Sequence, residues 1–135
     1  MFSRTDSISK RILLPLVLLL LLAGLAPAAL AQTKTFHWTQ WNIDVILQPD
    51  GRLAVTETQT LDFSGAPFTF GYRSIPVGRA GNNDGISNVS VREGDQIFTE
   101  SSSNAPGTFE VVDQGDETRI NWYFDPALGE HTYTF

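Results

Sequence analysis

Cysteine is absent from this 135-residue chain, histidine occurs only twice and methionine only at the initiator position. The first absence excludes disulfides, so whatever folds must be held by packing and backbone pairing. It also removes thiolate nucleophiles and the cysteine-rich zinc sites, and His37 and His131 stand in no metal-ligand spacing. Positive charge is scarce too: nine lysines and arginines face fifteen aspartates and glutamates. From Gln32 onward the imbalance sharpens to six against fourteen. An acidic field of that kind repels phosphate backbones and anionic headgroups, which excludes nucleic acid as a partner class.

Long apolar runs are absent except for one. MFSRTDSISKR carries Arg4, Lys10 and Arg11 ahead of the uncharged run ILLPLVLLLLLAGLAPAALA, which ends in Ala29-Leu30-Ala31. A positive head, an apolar centre and small residues at the end predict a secretory signal peptide over 1–31, cleaved after Ala31. The alternative is an uncleaved anchor, because Ile12 to Ala31 just reaches the roughly 20 residues that cross a bilayer. Both place residues 32–135 outside the cytoplasm, on the outer face of the membrane or free of the cell. Export without cysteine suits a bacterial protein.

No helical period is sustained after Gln32. Period-two alternation appears instead, the mark of a half-buried strand. In WTQWNIDVILQPDG, Trp41, Ile43, Val45 and Leu47 share one parity, and Pro49-Asp50-Gly51 supplies turn chemistry. RLAVTETQTLDF follows with Leu53, Val55, Leu61 and Phe63 on one face, so an antiparallel hairpin is predicted. Trp41 and Trp122 belong to the expected core, and Trp38 is the ring expected at the surface.

Glu57 and Gln59 break this pattern by sharing the apolar parity. The strand passes beyond the core there, or a bulge resets the register, or Glu57 is buried with a partner. SGAP then reads as a turn, FTFGYRSIP as a strand, GRAGNNDG as a polar loop, ISNVSVRE and QIFTE as strands, and SSSNAPG as a connector. FEVVDQGDETRINWYF reads as a hairpin turning at Gln114-Gly115-Asp116. HTYTF starts a last strand, and the chain stops inside it. The fold class is all-β: an immunoglobulin-like antiparallel β-sandwich, incomplete in its last strands.

Arg73 in FGYRSIP is the side chain singled out first. A guanidinium offers a planar fork of donors to a carboxylate or phosphate, and three readings stand open: an ion pair with Glu57, ligand recognition, or plain exposure. Trp38 and Tyr72 are further binding candidates. Asn82, Asn83 and Asp84 lack the spacing of a calcium loop, and Asp113, Asp116 and Glu117 suit a charged turn. No nucleophile elbow or S-x-x-K spacing occurs, and no cofactor motif. A non-enzymatic module without cofactor or metal is the expectation.

The series Trp41 to Val45, Asp50 to Glu57, Asp62-Phe63-Ser64-Gly65, Tyr72 to Pro76, Ile120-Asn121-Trp122 and His131 to Phe135 resembles the amino-terminal domain of domain-of-unknown-function family 2207. That resemblance implies an extracytoplasmic β domain of a bacterial membrane protein. It also implies transmembrane helices downstream, which this sequence does not contain, and a protein partner in or at the membrane. A non-catalytic interaction or sensing module is the function expected. Alternatives are a domain that binds envelope polymer or a small anion through Arg73 or the tryptophans, and, less favoured, a hydrolase.

Overall fold

The computed structural model describes residues 33–78 and 85–135. The signal segment 1–31 and the loop residues Asn82, Asn83 and Asp84 lie outside the described residues. Among the described residues no helix is long and apolar enough to cross a membrane.

The described residues form an all-β fold of seven strands: β1 (Thr35–Leu47), β2 (Leu53–Pro76), β3 (Arg92–Glu93), β4 (Gln96–Ile97), β5 (Thr99–Glu100), β6 (Thr108–Asp113) and β7 (Glu117–Thr134). Two long strands dominate. The first half of β2 pairs with β1 and with the end of β7, whereas its second half pairs with the start of β7. Each long strand therefore turns a corner and serves two antiparallel sheet portions, one ordered β1-β2-β7-β3-β4 and the other β2-β7-β6. Among the described residues only β5 pairs in parallel, with β6.

The corners explain why the sequence pattern breaks where the strands do not. Gly65 (φ 82°) and Gly129 (φ 80°) adopt the left-handed region that glycine enters without steric cost. The β2–β7 register is irregular between Phe63 and Phe68. SGAP, expected as a turn, is thus a bend inside β2, and HTYTF is the far end of β7 rather than a separate strand. ISNVSVRE contributes only Arg92–Glu93 as strand, and Asn88 within it takes a positive φ of 56°.

The two portions face one another across an aromatic core. Trp122 lies 5.4 Å from Tyr133 and 4.8 Å from Phe135, and Phe124 lies 5.8 Å from Phe63 and 5.3 Å from Tyr133, measured between ring centroids. Leu61, Val91, Phe98, Phe109, Ile120 and Ala127 complete the buried cluster. Gly71 is dictated by this packing, since a Cβ there would stand 2.4 Å from the Trp122 ring. The residue between Phe70 and Tyr72 must be small so that β2 can close over the indole.

The first hairpin forms as expected, and its register sets Val45 opposite Val55 and Leu47 opposite Leu53. Asp50 Oδ1 accepts the Arg52 amide at 3.1 Å, and Gly51 adopts φ 87°. Its apolar row is not core. Ile43 is 52% exposed, Val55 53% and Leu47 69%, and Trp41 also faces solvent. The opposite sheet portion covers β2 only from Glu57 onward, so the outer half of the hairpin keeps the alternation of a two-layer strand without a second layer. Trp122 is buried as expected.

Candidate functional site

Arg73 and Glu57 are brought together where the covered and uncovered parts of the hairpin meet. Arg73 stands opposite Ile120 on β2, which turns its side chain inward. Glu57 stands on the inward row of β2, in line with Gln59, Leu61 and Phe63. The Arg73 Nε–H donates to Glu57 Oε1 at 2.7 Å and the Nη2–H to Oε2 at 3.1 Å. A two-pronged bond of this kind matches the guanidinium fork to both carboxylate oxygens. The Glu57 side chain is 8% exposed and that of Arg73 23%.

The remaining polar atoms are occupied as well. Gln59 Nε2 donates to Glu57 Oε1, Gln59 Oε1 accepts the Trp38 indole N–H at 3.1 Å, and Arg73 Nη1 donates to the Ser74 carbonyl. Burying a carboxylate is tolerable only when paired and hydrogen-bonded. Of the three options at Glu57, burial with a partner is the one found. A register shift does occur, but in β1 between Trp38 and Gln40. It sets Phe36 and Trp38 on the same face as Trp41 and Ile43.

A continuous ladder of rings and cations results. Lys34 lies over Phe68 at 5.4 Å; Phe68 meets Phe36 edge-on at 6.0 Å, and Phe36 meets Trp38 likewise at 5.2 Å. Trp38 stacks on Trp41 at 5.5 Å, and the Arg73 guanidinium lies over Trp41 at 5.3 Å. Cation–π and ring–ring contacts are each worth about 0.5 to 1.5 kcal/mol. The ladder fastens β1, an edge strand, to the second half of β2. It also leaves Arg73 with its carboxylate-binding fork engaged, and the tryptophan faces engaged with one another.

Tyr72 does not join this group. Adjacent to Arg73 in sequence, it points to the outer face, 59% exposed, under the Arg119 guanidinium at 4.7 Å. Tyr123 donates to Glu110 there at 3.2 Å; burial, the hydrogen bond and the negative charge of Glu110 all raise its pKa. Trp38 and Tyr72 therefore lie on different faces and do not converge on one ligand.

The histidines stand apart from one another. His37 is exposed, 3.7 Å from Asp62, whereas His131 Nδ1 meets Glu93 at 2.5 Å and its Nε2 meets the Leu128 carbonyl at 3.2 Å. The His131–Glu93 contact fastens β3 to β7 and was not legible in the sequence, because the two residues are 38 positions apart. Asp113 accepts the Gly115 amide at 2.8 Å, which is turn chemistry. Among the described residues no group of three or more His, Cys, Asp or Glu side chains is placed to hold a metal ion.

A second feature lies at the far end of the hairpin. A cavity of about 590 Å³ is lined there by Asp50, Arg52, Leu53, Val55, Ser87 and Asn88, among others. Comparison with models of known protein families, with curated proteins and with solved structures returns no match.

Proposed function

We propose that this chain is the external interaction module of a bacterial envelope protein, exported, non-catalytic and built as an immunoglobulin-like sandwich, in keeping with the extracytoplasmic β domain that the family 2207 resemblance implies. The observation that carries this reading is the hairpin surface. Phe36, Trp38, Trp41, Ile43, Val45, Leu47, Leu53 and Val55 are all exposed, and the register sets them in one row on one face. At roughly 100 Å² each they present on the order of 800 Å², more than the roughly 300 to 600 Å² of the largest patch on an ordinary monomer. That is about what one partner contributes to a standard protein–protein interface.

The polymer-binding and anion-binding alternatives receive less support, because the Arg73 fork is engaged by Glu57 and the two tryptophans stack on each other.

Photo-crosslinking tests the proposal. A photoreactive side chain replacing Val45 is expected to capture a protein in the envelope of the exporting cell. The same group at Thr60, on the opposite face of the sheet, is expected to capture none. Equal labelling from both positions, or none from Val45, would sink it.

A further inference from the structure

We propose that the outer face of the β2-β7-β6 portion binds an uncharged, β-linked glycan chain through Phe70, Tyr72 and Tyr123. The inference goes beyond the interaction-module reading, and Arg73, the tryptophans and the hairpin row take no part in it. It starts from parity. Ile120 and Trp122 of β7 and Phe109 of β6 belong to the core, so the residues between them turn outward. Phe70, Tyr72 and Ser74 of β2 stand opposite Tyr123, Asn121 and Arg119 of β7, in a register that is regular from Phe70 to Pro76. Beyond these, β6 places Thr108 beside Tyr123, Glu110 beside Asn121 and Val112 beside Arg119.

Rings and hydrogen-bonding groups therefore lie side by side. Phe70 is 57% exposed and Tyr72 59%, they follow one another at roughly 6.8 Å along β2, and the Phe70 ring lies 6.4 Å from that of Tyr123. The polar groups beside them are held within the face. Glu110 Oε1 accepts the Asn121 side-chain amide at 2.9 Å and the Tyr123 hydroxyl at 3.2 Å, and Oε2 has no hydrogen-bond partner among the described residues. The Arg119 guanidinium lies over the Tyr72 ring at 4.7 Å, and its Nε–H donates to Ser74 Oγ at 3.4 Å. Groups fixed in this way lose little freedom when a ligand arrives.

Composition selects the ligand class. A pyranose in a β-linked chain has apolar C–H faces and a belt of hydroxyls around its edge. The face offers a partner to each: aromatic rings for the C–H surface and, one strand away, a carboxylate oxygen, an amide and a guanidinium for the hydroxyls. A protein covering these rings would bury the bare Glu110 oxygen at a cost of about 1 to 3 kcal/mol unless it carried a donor to that one atom, whereas a glycan carries donors on every sugar. Charge narrows the class further. On the face Arg119 stands against Glu110 and Glu117, and Asp113 and Asp116 lie at the turn that closes one end, so an anionic polymer is repelled. A cationic one meets Arg119 at the Tyr72 ring.

Magnetic-resonance titration of the full chain with cellohexaose and with chitohexaose, each to about 5 mM, tests this. Resonances of Phe70, Tyr72, Asn121 and Tyr123 are expected to shift with at least one of the two hexamers, and none with maltohexaose, whose α-linkages coil the chain. Phe70→Ala and Tyr72→Ala are each expected to weaken binding at least about tenfold. Both rings are exposed, so the unfolding midpoint should stay near that of the parent. Val45→Thr is expected to bind as the parent does. Silence with both β-linked hexamers would overturn the proposal, and so would an equal response to maltohexaose or binding that survives both ring variants. Shifts confined to Trp38 and Trp41 would move the glycan to the hairpin and overturn it too. Capture of an envelope protein from a photoreactive group at Tyr72, with no response to either hexamer, would make this face a protein interface instead. The shifts in the parent need no variant, so a variant that failed to fold would leave the decision with them. None of these results bears on crosslinking from Val45, and the two proposals fail separately.

Discussion

Glu57 and Arg73, sixteen residues apart on one strand, face each other across the two sheet portions and share two hydrogen bonds of 2.7 and 3.1 Å. Because β2 turns a corner at Gly65, its two halves lie in different layers. The pair ties the two sheet portions together at the point where the covering portion ends.

Removing the cation from this pair leaves an inward carboxylate with only Gln59 beside it. Arg73→Met is expected to cost about 3 kcal/mol, near the lower end for breaking a buried pair because Arg73 keeps some solvent. Glu57→Gln alone is expected to cost less, and the double variant less than the sum. Urea unfolding of all four proteins measures the coupling, and strict additivity would rule the pairing out as a source of stability.

Gly71 sits too close to Trp122 for any side chain. Gly71→Ala is expected to lose about 1 to 3 kcal/mol through displacement of a ring in the closed core. Near-ultraviolet circular dichroism should change with it. An unchanged spectrum and midpoint would show that β2 does not close on the indole.

Tyr133 is fully buried, and its pKa is raised well above the ordinary value of 10, first by burial and then by the charge of Glu93. A phenol whose folded pKa exceeds its unfolded one keeps its proton more readily in the folded state. Stability is therefore intact below pH 10 and falls as pH rises above it. Absorbance titration at about 295 nm should find Tyr133 silent until the protein unfolds. Among the described residues its hydroxyl has no hydrogen-bond partner, so Tyr133→Phe is expected to change stability by less than about 1 kcal/mol. That variant should lack the late titration step.

The exposed hairpin row makes an opposite claim about stability. Val45→Thr and Leu47→Gln are expected to stay within about 0.5 kcal/mol of the parent, whereas Leu61→Ala should lose about 2 to 5 kcal/mol. Thermal unfolding of the three variants decides. Large losses at Val45 and Leu47 would mean that a second layer covers them.

Alternation and turn residues were enough to predict the first hairpin and the Gln114–Asp116 hairpin, because both signals are local. Glu57 was legible as an anomaly for the same reason: a charge on an apolar parity is visible without coordinates. The sequence by itself determined strand character, the turns of the two hairpins and the acidic, cysteine-free composition. Tertiary structure alone decided which apolar row is covered, because burial depends on what lies opposite a face and not on the face itself. It also decided that β2 runs on through SGAP, which read as a turn, and that HTYT continues β7, where a separate strand was expected. A glycine corner leaves the same residues behind whether the chain ends a strand there or carries its ladder into the next layer.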